Sequence, residues 1–277
     1  MLGYISNDTI IKYCASDLPV SQTIFIRGIF VTILILVLCL IRDSFKQGIN
    51  KKDWLLVIFR SIVDLCATLL FLTALFRIPL ANASAILQTL PLTVTLFGAI
   101  ILGEKFGVYR AFAICFGFLG VLLIIKPGSS VFSIYSLYAV AAVLFITIRE
   151  IITRKISSNS STLLITLMTA VSITFIGGAG GFFIQNWDVV PTYTIIGLMA
   201  ASIFIFIAYY FSIPAMQFGE ISFVSPFRFT LMIWAIMFGF VVFEEIPDRL
   251  TILGLIIIIT AGLITYFREK QTKKYEK

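Results

Sequence analysis

The chain has 277 residues, of which 60% are hydrophobic and 13% are charged, and its mean hydropathy is +1.05. Soluble globular domains contain about 45–50% apolar and about 25% charged residues, so this composition excludes an ordinary water-soluble fold. The net charge of +7 does not indicate nucleic acid, because Lys and Arg gather in the polar connections and at the C-terminus. In membrane proteins that distribution sets the orientation in the bilayer.

Apolar segments bounded by charges, Pro or Gly follow one another along the whole chain. A helix needs about 20 apolar residues to cross a bilayer, and continuous apolar runs differ from the alternating pattern of a membrane β-barrel. The sequence therefore predicts an all-α integral membrane protein with ten transmembrane helices. The predicted helices cover residues 1–16, 21–41, 54–76, 80–102, 108–126, 134–153, 163–184, 192–213, 221–243 and 250–267.

The two halves of the chain resemble one another at an offset of 141 residues. Segment 74–107 aligns without gaps on segment 215–248, so that Glu104 meets Glu245 at the end of matching apolar helices. Five helices in each half place the second half in the membrane in the opposite direction to the first. The sequence thus predicts two inverted five-helix repeats, an arrangement typical of secondary transporters.

These repeats predict the domain boundaries and the orientation. The first repeat is expected over residues 1–127, the second over 133–268, and a basic cytoplasmic tail over 269–277. If the N-terminus is cytoplasmic, most loop Lys and Arg residues face the cytoplasm, and both termini lie on that side. The basic residues expected on the outer side are Arg77, Lys126 and Arg249.

Ionisable side chains inside the predicted helices are candidates for a functional site, because burying a charge in a membrane is costly. Asp8 and Lys12 are four residues apart, as are Arg60 and Asp64, so each pair shares a helix face. The members of a pair either neutralise one another or bind the substrate. Arg149, by contrast, is expected near the cytoplasmic interface, where a long side chain reaches the headgroups.

Two prolines inside predicted helices indicate kinks beside a cavity. Pro226 lies two residues before Arg228, which is the preferred substrate-binding residue. Pro91 is expected to kink the first half in a similar way, although it is not at the matching position of the repeat. Proline removes a backbone donor and bends a helix, and irregular backbone in a membrane lies beside a cavity or within protein. Gln88, about one turn before Pro91, is a candidate neutral hydrogen-bonding residue or an inter-helix contact.

Aromatic side chains cluster in the second half. Stacking on a planar ligand such as a flavin or a purine is one interpretation, and packing against lipid or other helices is the alternative. The candidates are Tyr209, Tyr210, Phe227 and Trp234.

The charges expected inside the membrane do not balance. Two cations remain uncompensated, and uncompensated buried charge is costly. We therefore expect a substrate with a planar ring and an anionic or strongly hydrogen-bonding tail. The cations counted are Lys12, Arg27, Arg60 and Arg228, and the anions are Asp8 and Asp64.

The rival function classes find little support in the sequence. The chain has no His, and its four Cys lie in apolar segments without metal or redox spacing, so no metal site is predicted. An intramembrane enzyme lacks a nucleophile–base pair, a channel lacks a filter motif, and no Walker A sequence indicates direct use of ATP. A secondary carrier is the leading class, with uptake and export both open.

Several motifs together resemble the ten-helix EamA branch of the drug/metabolite transporter superfamily. They are Phe25–Arg27, ILGEKFG at Ile101–Gly107, SPFRF at Ser225–Phe229, FEEIPD at Phe243–Asp248 and TYFRE at Thr265–Glu269. SPFRF is similar to the subset that includes riboflavin and S-adenosylmethionine uptake carriers. The resemblance implies an inner-membrane carrier working by alternating access, with an exporter of amino acids or metabolites as the alternative. The expected partners are a small-molecule substrate and the lipid bilayer, with a homodimer as a further option and without nucleic acid or a cofactor.

Overall fold

The computed structural model describes residues 1–102, 108–129, 132–157, 159–179, 181, 183, 186–218 and 229–275, without the side chains of 102, 109–110, 179, 209–210, 212–218 and 265–275. The described part is helical, with short connections. Its main helices are α1 (Leu2–Tyr13), α2 (Val20–Ile41), α3 (Trp54–Leu75), α4a (Leu80–Leu87), α4b (Leu90–Leu102), α5 (Val108–Ile125), α6 (Ile134–Lys155), α7 (Thr162–Ser172), α8 (Thr192–Phe218), α9 (Thr230–Phe243) and α10 (Arg249–Tyr275).

The surface of this bundle is apolar, as a bilayer requires. Leu40, Leu55 and Phe112 are 61%, 77% and 71% exposed, and many other large apolar side chains also point outwards. Within the described residues, Val20–Ile41, Lys51–Leu75, Leu80–Ile101 and Ile134–Lys155 are each long and apolar enough to span a membrane. Shorter apolar helices accompany them. The predicted all-α membrane fold is confirmed.

The helix predicted over 80–102 is interrupted at Gln88 and Thr89. Pro91 has no N–H group, so the carbonyl of Leu87 lacks its usual donor four residues later. A tighter turn replaces the α-helical one, in which the N–H of Leu92 donates to the carbonyl of Thr89, three residues before it, at 2.9 Å. This break divides the segment into α4a and α4b in the interior of the bundle.

Two other helices differ from the predicted spans. α7 ends its regular part at Ser172 and continues as a π-helical turn over Ile173–Ala179. α10 was expected to end at 267, but it continues to Tyr275 through most of the predicted tail. Beyond Gly262 the sequence has neither Gly nor Pro, and Lys, Arg, Glu and Gln are good helix formers. Of the helix predicted over 221–243, residues 221–228 lie outside the described part.

Helix packing follows the 141-residue offset. α3 packs along α6, and their counterparts at the offset, α8 and α1, also pack together. α5 pairs with its own counterpart α10, and α2 pairs with α7 and its π-helical extension. A two-fold axis that relates the halves produces this pattern, because each contact either recurs in the other half or joins two equivalent helices.

A pair of buried serines repeats one contact in both halves. The hydroxyl of Ser61 on α3 lies 3.2 Å from that of Thr169 on α7. At the offset position on α8, the hydroxyl of Ser202 donates to the carbonyl of Arg27 on α2 at 3.2 Å. Ser61 and Ser202 are 4% and 0% exposed. In both halves a buried serine therefore joins the corresponding pair of helices, through a hydroxyl in one half and a backbone carbonyl in the other.

Polar contacts fix the two ends of the bundle. Asp53, just before α3, accepts hydrogen bonds from the hydroxyls of Ser157 and Ser160 after α6, at 2.7 and 2.6 Å. α3 and α6 are therefore antiparallel. Lys51 lies at the end of the bundle where α6 finishes, and Lys126 precedes the start of α6 at the opposite end. This alternation is the one predicted from the loops.

Lys126 also holds the loop between α9 and α10. Its ammonium donates to the carboxylate of Asp248 at 2.5 Å. The hydrogen bond from Lys126, with a second from Thr251, lowers the pKa of Asp248 to about 2. The ion pair therefore persists at neutral pH, and it ties the connection between the repeats to the far end of the second repeat.

α5 and α10 cross at two glycines. A Cβ on Gly120 would lie 2.7 Å from the carbonyl oxygen of Gly254, and a Cβ on Gly254 would lie 2.5 Å from that of Gly120. Both distances are shorter than real Cβ contacts, and the obstructing atom is backbone in each case. Glycine is required here because it lets the two backbones approach, as small residues commonly do between membrane helices.

We expect Gly120→Ala to lower the stability of the purified protein by about 1–3 kcal/mol, the usual cost of overpacking. Gly197→Ala on α8 is the matched control, since its Cβ would meet its nearest atoms at ordinary distances of 3.5 and 3.7 Å. That control should be neutral or stabilising by up to about 1 kcal/mol, because Ala favours helix over Gly. Thermal unfolding in detergent measures both. Equal effects of the two substitutions would contradict the close crossing.

Candidate functional site

A cavity of about 380 Å³ lies inside the bundle, between helices of both halves. Asp64, which lines it, stands midway along α3, so the cavity is at the depth expected of a transporter binding site. Its wall combines apolar side chains with a small number of charged and polar ones, as ligand pockets usually do. The charged and polar lining residues are Asn7, Asp8, Arg27, Asp64, Thr68, Gln88 and Arg149.

Two opposite charges at the cavity are joined through an amide. Arg27 on α2 donates from Nε to Oδ1 of Asn7 at 3.0 Å. Asn7 in turn donates from Nδ2 to Oδ1 of Asp8 at 2.8 Å. Asn7 is 2% exposed and uses both ends of its amide in this bridge. The Asp8 carboxylate and the Arg27 guanidinium are thereby held beside one another as distinct poles in the cavity wall.

A second charged group joins α3 to α6. Arg149 donates from Nη1 to Asp64 at 2.8 Å and from Nη2 to Glu150 at 2.6 Å. The side chains of Arg149 and Asp64 are 21% and 13% exposed. The expectation that Arg149 lies at the cytoplasmic interface is therefore wrong. The antiparallel packing of α3 and α6 brings it to the depth of Asp64.

Arg60 lies one turn from Asp64 and reaches other partners. Its Nε donates to the hydroxyl of Thr153 at 2.9 Å, and its Nη1 donates to the hydroxyl of Thr169 at 2.6 Å. These contacts link α3 to α6 and α7. The salt bridge of Asp64 thus runs between helices, to Arg149, and the interpretation of Arg60 and Asp64 as a self-neutralising pair on α3 is not supported.

Lys12 belongs to a clasp near the end of the cavity that the loop charges predict to face outwards, and we call it the outer clasp. Its ammonium lies 2.8 Å from the carboxylate of Glu245, and it also donates to the carbonyl of Ile78. Glu245 accepts from the N–H of Leu80 at 2.7 Å and so caps the first turn of α4a. The partner of Lys12 is therefore in the second half, and its expected pairing with Asp8 is wrong.

The outer clasp stands near one end of the cavity. Lys12 stands four residues, or about 6 Å, beyond Asp8 along α1. The side chains of Lys12 and Glu245 are only 10% and 22% exposed. Glu245 caps a helix of the other half, and its carboxylate is largely buried against Lys12.

The break in α4 lies beside the cavity. Gln88, at the break, is 8% exposed and lines the cavity together with Leu87 and Leu90. The C-terminal end of α4a carries a partial negative charge, and the N-terminal end of α4b a partial positive one. Half-helix ends of this kind bind polar groups of substrates and ions in transporters.

Trp234, another predicted site residue, does not line the described cavity. The side chain of Trp234 is half-buried and packs against the apolar core. Pro226, Phe227 and Arg228 lie outside the described residues, as do the side chains of Tyr209 and Tyr210. Their assignment to the site stays a prediction.

The sequence reasoning missed Arg149, although the repeat contained a signal for it. The 141-residue offset places Arg149 on α6 at the position of Asp8 on α1. The same offset relates Leu90 to Leu231, and both line the cavity. A charged residue opposite a predicted site residue therefore marks the same cavity from the other half.

The structure also changes the charge count. Glu245 compensates Lys12, and Arg149 and Glu150 join the interior charges. Among the described residues, the four cations of these contacts face four anions. Arg228, which the expected excess of two cations also counted, lies outside the described part, so that excess stays a prediction. The cations are Lys12, Arg27, Arg60 and Arg149, and the anions are Asp8, Asp64, Glu150 and Glu245.

We expect Arg149→Gln to destabilise the protein by about 3 kcal/mol, because it leaves buried carboxylates without their cation. Arg154→Gln, on an exposed position of the same helix, is the control and should change stability by less than about 0.5 kcal/mol. Adding Asp64→Asn to Arg149→Gln should recover part of the loss. Thermal unfolding of Arg149→Gln, Asp64→Asn, the double variant and the Arg154→Gln control measures the coupling. Strictly additive losses would contradict a direct Asp64–Arg149 interaction.

The geometry can be compared with known proteins. Residues 2–126 match the EamA-like transporter family. The chain is 24% identical over 264 residues to the pseudopaline exporter CntI of Pseudomonas aeruginosa, covering 92% of this chain and 88% of that protein. It is 24% identical over 259 residues to the riboflavin transporter of Vibrio cholerae, with coverages of 92% and 86%.

Two further comparisons cover nearly the whole chain. The S-adenosylmethionine uptake transporter of Rickettsia prowazekii is 21% identical over 266 residues, covering 96% of this chain and 89% of that protein. A protein of known crystal structure superimposes with a TM-score of 0.66 at 13% identity, over 98% of this chain and 97% of that chain. The last similarity concerns the fold alone. Together they confirm the resemblance drawn from the sequence motifs.

Proposed function

Because residues 2–126 match the EamA-like transporter family, we propose that the protein carries a small organic metabolite across a bacterial inner membrane by alternating access. The observation that supports this most directly is the cavity lined by Asp8, Arg27, Asp64 and Arg149. Charged groups at this depth are costly unless they serve a polar ligand or a water-filled path. Both termini are proposed to be cytoplasmic, in keeping with the loop charges.

Alternating access requires the outer clasp to open. Its charged pair joins Lys12 of the first repeat to Glu245 of the second. While this contact is made, the cavity is closed at its outer end. Movement of one repeat against the other would separate the pair and admit or release the solute on that side. The relatives include an exporter and uptake carriers, so uptake and export of the solute are both tested.

Counterflow in proteoliposomes tests the proposed function. Proteoliposomes that contain the purified protein and are preloaded with unlabelled solute should accumulate the labelled solute. Riboflavin and S-adenosylmethionine are the first solutes, because relatives are named for them. Arg27→Gln should lower the initial rate by about tenfold or more, equivalent to about 1.4 kcal/mol. Lys126→Gln, in the ion pair at the outer end, should stay within about twofold of the wild type, since exposed pairs contribute about 0–1 kcal/mol.

The same counterflow experiment can contradict the proposal. If neither solute exchanges, and a wider set of amino acids, nucleosides and organic ions exchanges no faster than in protein-free liposomes, the protein is not a carrier of small metabolites.

Arg228→Ala is predicted to abolish the same exchange. Arg228 is the offset counterpart of Leu87, which lines the cavity.

Opening of the outer clasp can be measured by cysteine labelling. Ile11 lines the cavity and is fully buried. In a background whose four Cys are replaced by Ser, we expect Ile11→Cys to react slowly with a membrane-impermeant maleimide added outside. Glu245→Gln should raise that rate at least about fivefold, since loss of one partner weakens a partly buried pair by about 1 kcal/mol or more.

Asp248→Asn, which weakens the exposed pair with Lys126, is the matched control and should leave the labelling rate unchanged. Equal labelling of Ile11→Cys in both backgrounds would show that the Lys12–Glu245 contact does not close the cavity. Labelling only from the opposite side of the membrane would reverse the proposed orientation.

A further inference from the structure

Two connections meet at the end of the bundle where α6 finishes. The connection between α2 and α3 belongs to the first half, and the one between α6 and α7 belongs to the second. Asp53 accepts from the hydroxyls of Ser157 and Ser160 at 2.7 and 2.6 Å. The N–H of Ser161 donates to the carbonyl of Gly48 at 2.9 Å. These hydrogen bonds hold the two connections together as one surface.

Three lysines on this surface form a group that we call the basic rim. Lys51 and Lys52 directly precede Asp53, and Lys155 lies two residues before Ser157. Each of these lysine side chains is exposed, and none makes an ion pair within the part of the chain that the structure describes. Asp53 is buried and contributes one negative charge against the three positive ones. The group therefore keeps an excess of positive charge.

Exposed apolar side chains begin directly beside the basic rim. Trp54, the first residue of α3, is 42% exposed, and Leu55 is also exposed. Ile58 and Phe59 follow one turn further along the helix, and both are exposed on the same side. Tryptophan is common at the level of the lipid headgroups. The lysines therefore stand where the acyl region of a bilayer ends and the headgroups begin.

A phospholipid carries its groups in the same order as this surface. Its phosphate lies at the headgroup level, and its acyl chains lie below, against the apolar side chains. The lysine ammonium is a compact charge that attracts a phosphate without requiring a fixed geometry. Clusters of basic residues beside a membrane-spanning helix attract anionic lipids for this reason. A soluble acidic partner would complement the lysines but not the apolar side chains beside them.

From these observations we propose that an anionic phospholipid binds at the basic rim. Its phosphate lies between the lysines of the two halves, and its acyl chains lie along the exposed apolar side of α3. This inference goes beyond the proposed function and does not rest on it. It is also independent of which side of the membrane this end of the bundle faces, because the lipid comes from the adjoining leaflet.

The fluorescence of Trp54 can report which lipid occupies the site. The chain has three Trp, so Trp187→Phe with Trp234→Phe leaves Trp54 as the single one. The full-length protein is placed in mixed bilayers of phosphatidylcholine and phosphatidylglycerol, with bromine on the acyl chains of one lipid at a time. Bromine quenches an indole that it contacts. We expect phosphatidylglycerol to be preferred at Trp54 by at least about threefold in relative binding constant.

Salt and variants assign this preference to the basic rim. It should largely disappear at about 1 M salt, because salt screens exposed charges. Lys51→Gln, Lys52→Gln and Lys155→Gln together should abolish it, and Lys155→Gln alone should reduce it by about half. Arg249→Gln, an exposed cation at the opposite end of the bundle, is the matched control and should leave it unchanged. An unchanged thermal midpoint in detergent shows that each variant is folded.

A second measurement avoids the tryptophan substitutions. Native mass spectrometry of the purified wild-type protein, with equal amounts of the two lipids added, counts the lipids that stay bound. The wild type should retain more phosphatidylglycerol than phosphatidylcholine of the same chain length. The variant without the three lysines should retain the two lipids equally.

Three outcomes would overturn the inference. The first is equal quenching by the two lipids, or a preference that persists without the three lysines. The second is a preference that Lys155→Gln leaves intact, since the site would then not be shared between the halves. The third is binding of polyglutamate that requires the same lysines, together with equal quenching by the two lipids, because the surface would then serve a soluble acidic partner.

Discussion

Charges placed inside an apolar bundle require partners at their own depth, and this requirement organises the whole molecule. Asp64 and Arg149 meet only because α3 and α6 are antiparallel, and Lys12 reaches Glu245 only because α1 of one half ends beside the last loop of the other. An ion without its partner in such surroundings costs several kcal/mol. The polar contacts therefore select one arrangement of helices whose apolar surfaces alone would pack in several ways.

The same requirement places the cavity. The break at Gln88 and the bridge through Asn7 both leave polar groups turned towards one interior space. In a membrane, irregular backbone and charged side chains are tolerated where they are buried in protein or line a water-filled cavity. Both features therefore lie at the same cavity. Around it, tight contacts such as the glycine crossing of α5 and α10 hold helices of the two halves together.

Much of the fold could be predicted because a bilayer imposes simple demands on a sequence. Helix length, loop charge and the 141-residue offset gave helices whose ends mostly agree with the structure within a few residues. The exception at α4 has a visible cause in Pro91, but a proline indicates a bend without giving its extent. α10 ran past its predicted end because the basic residues that mark the membrane boundary are also good helix formers.

The contacts of the site were harder to predict, because position along a helix gives depth but not rotation or neighbours. Asp64 was placed correctly at mid-membrane, yet its partner was sought on its own helix and found on α6. Arg149 lies six residues from the end of its helix, which suggested an interfacial residue. The equivalence of Arg149 and Asp8 in the repeat was more informative. A two-fold relation between the halves predicts which side of a helix faces the cavity as well as the depth of a residue in the membrane.

The central claim is that the charged interior space is an aqueous solute path and not a dry core. Accessibility of Thr68, which lines the cavity on α3, tests it most directly. In a Cys-free background, Thr68→Cys should react with a cationic, membrane-impermeant methanethiosulfonate reagent. Ile62→Cys, on the same helix but 50% exposed at the apolar surface, should not react, because lipid excludes the reagent. Equal reactivity of the two positions, or none at Thr68→Cys from either side of the membrane, would contradict the account.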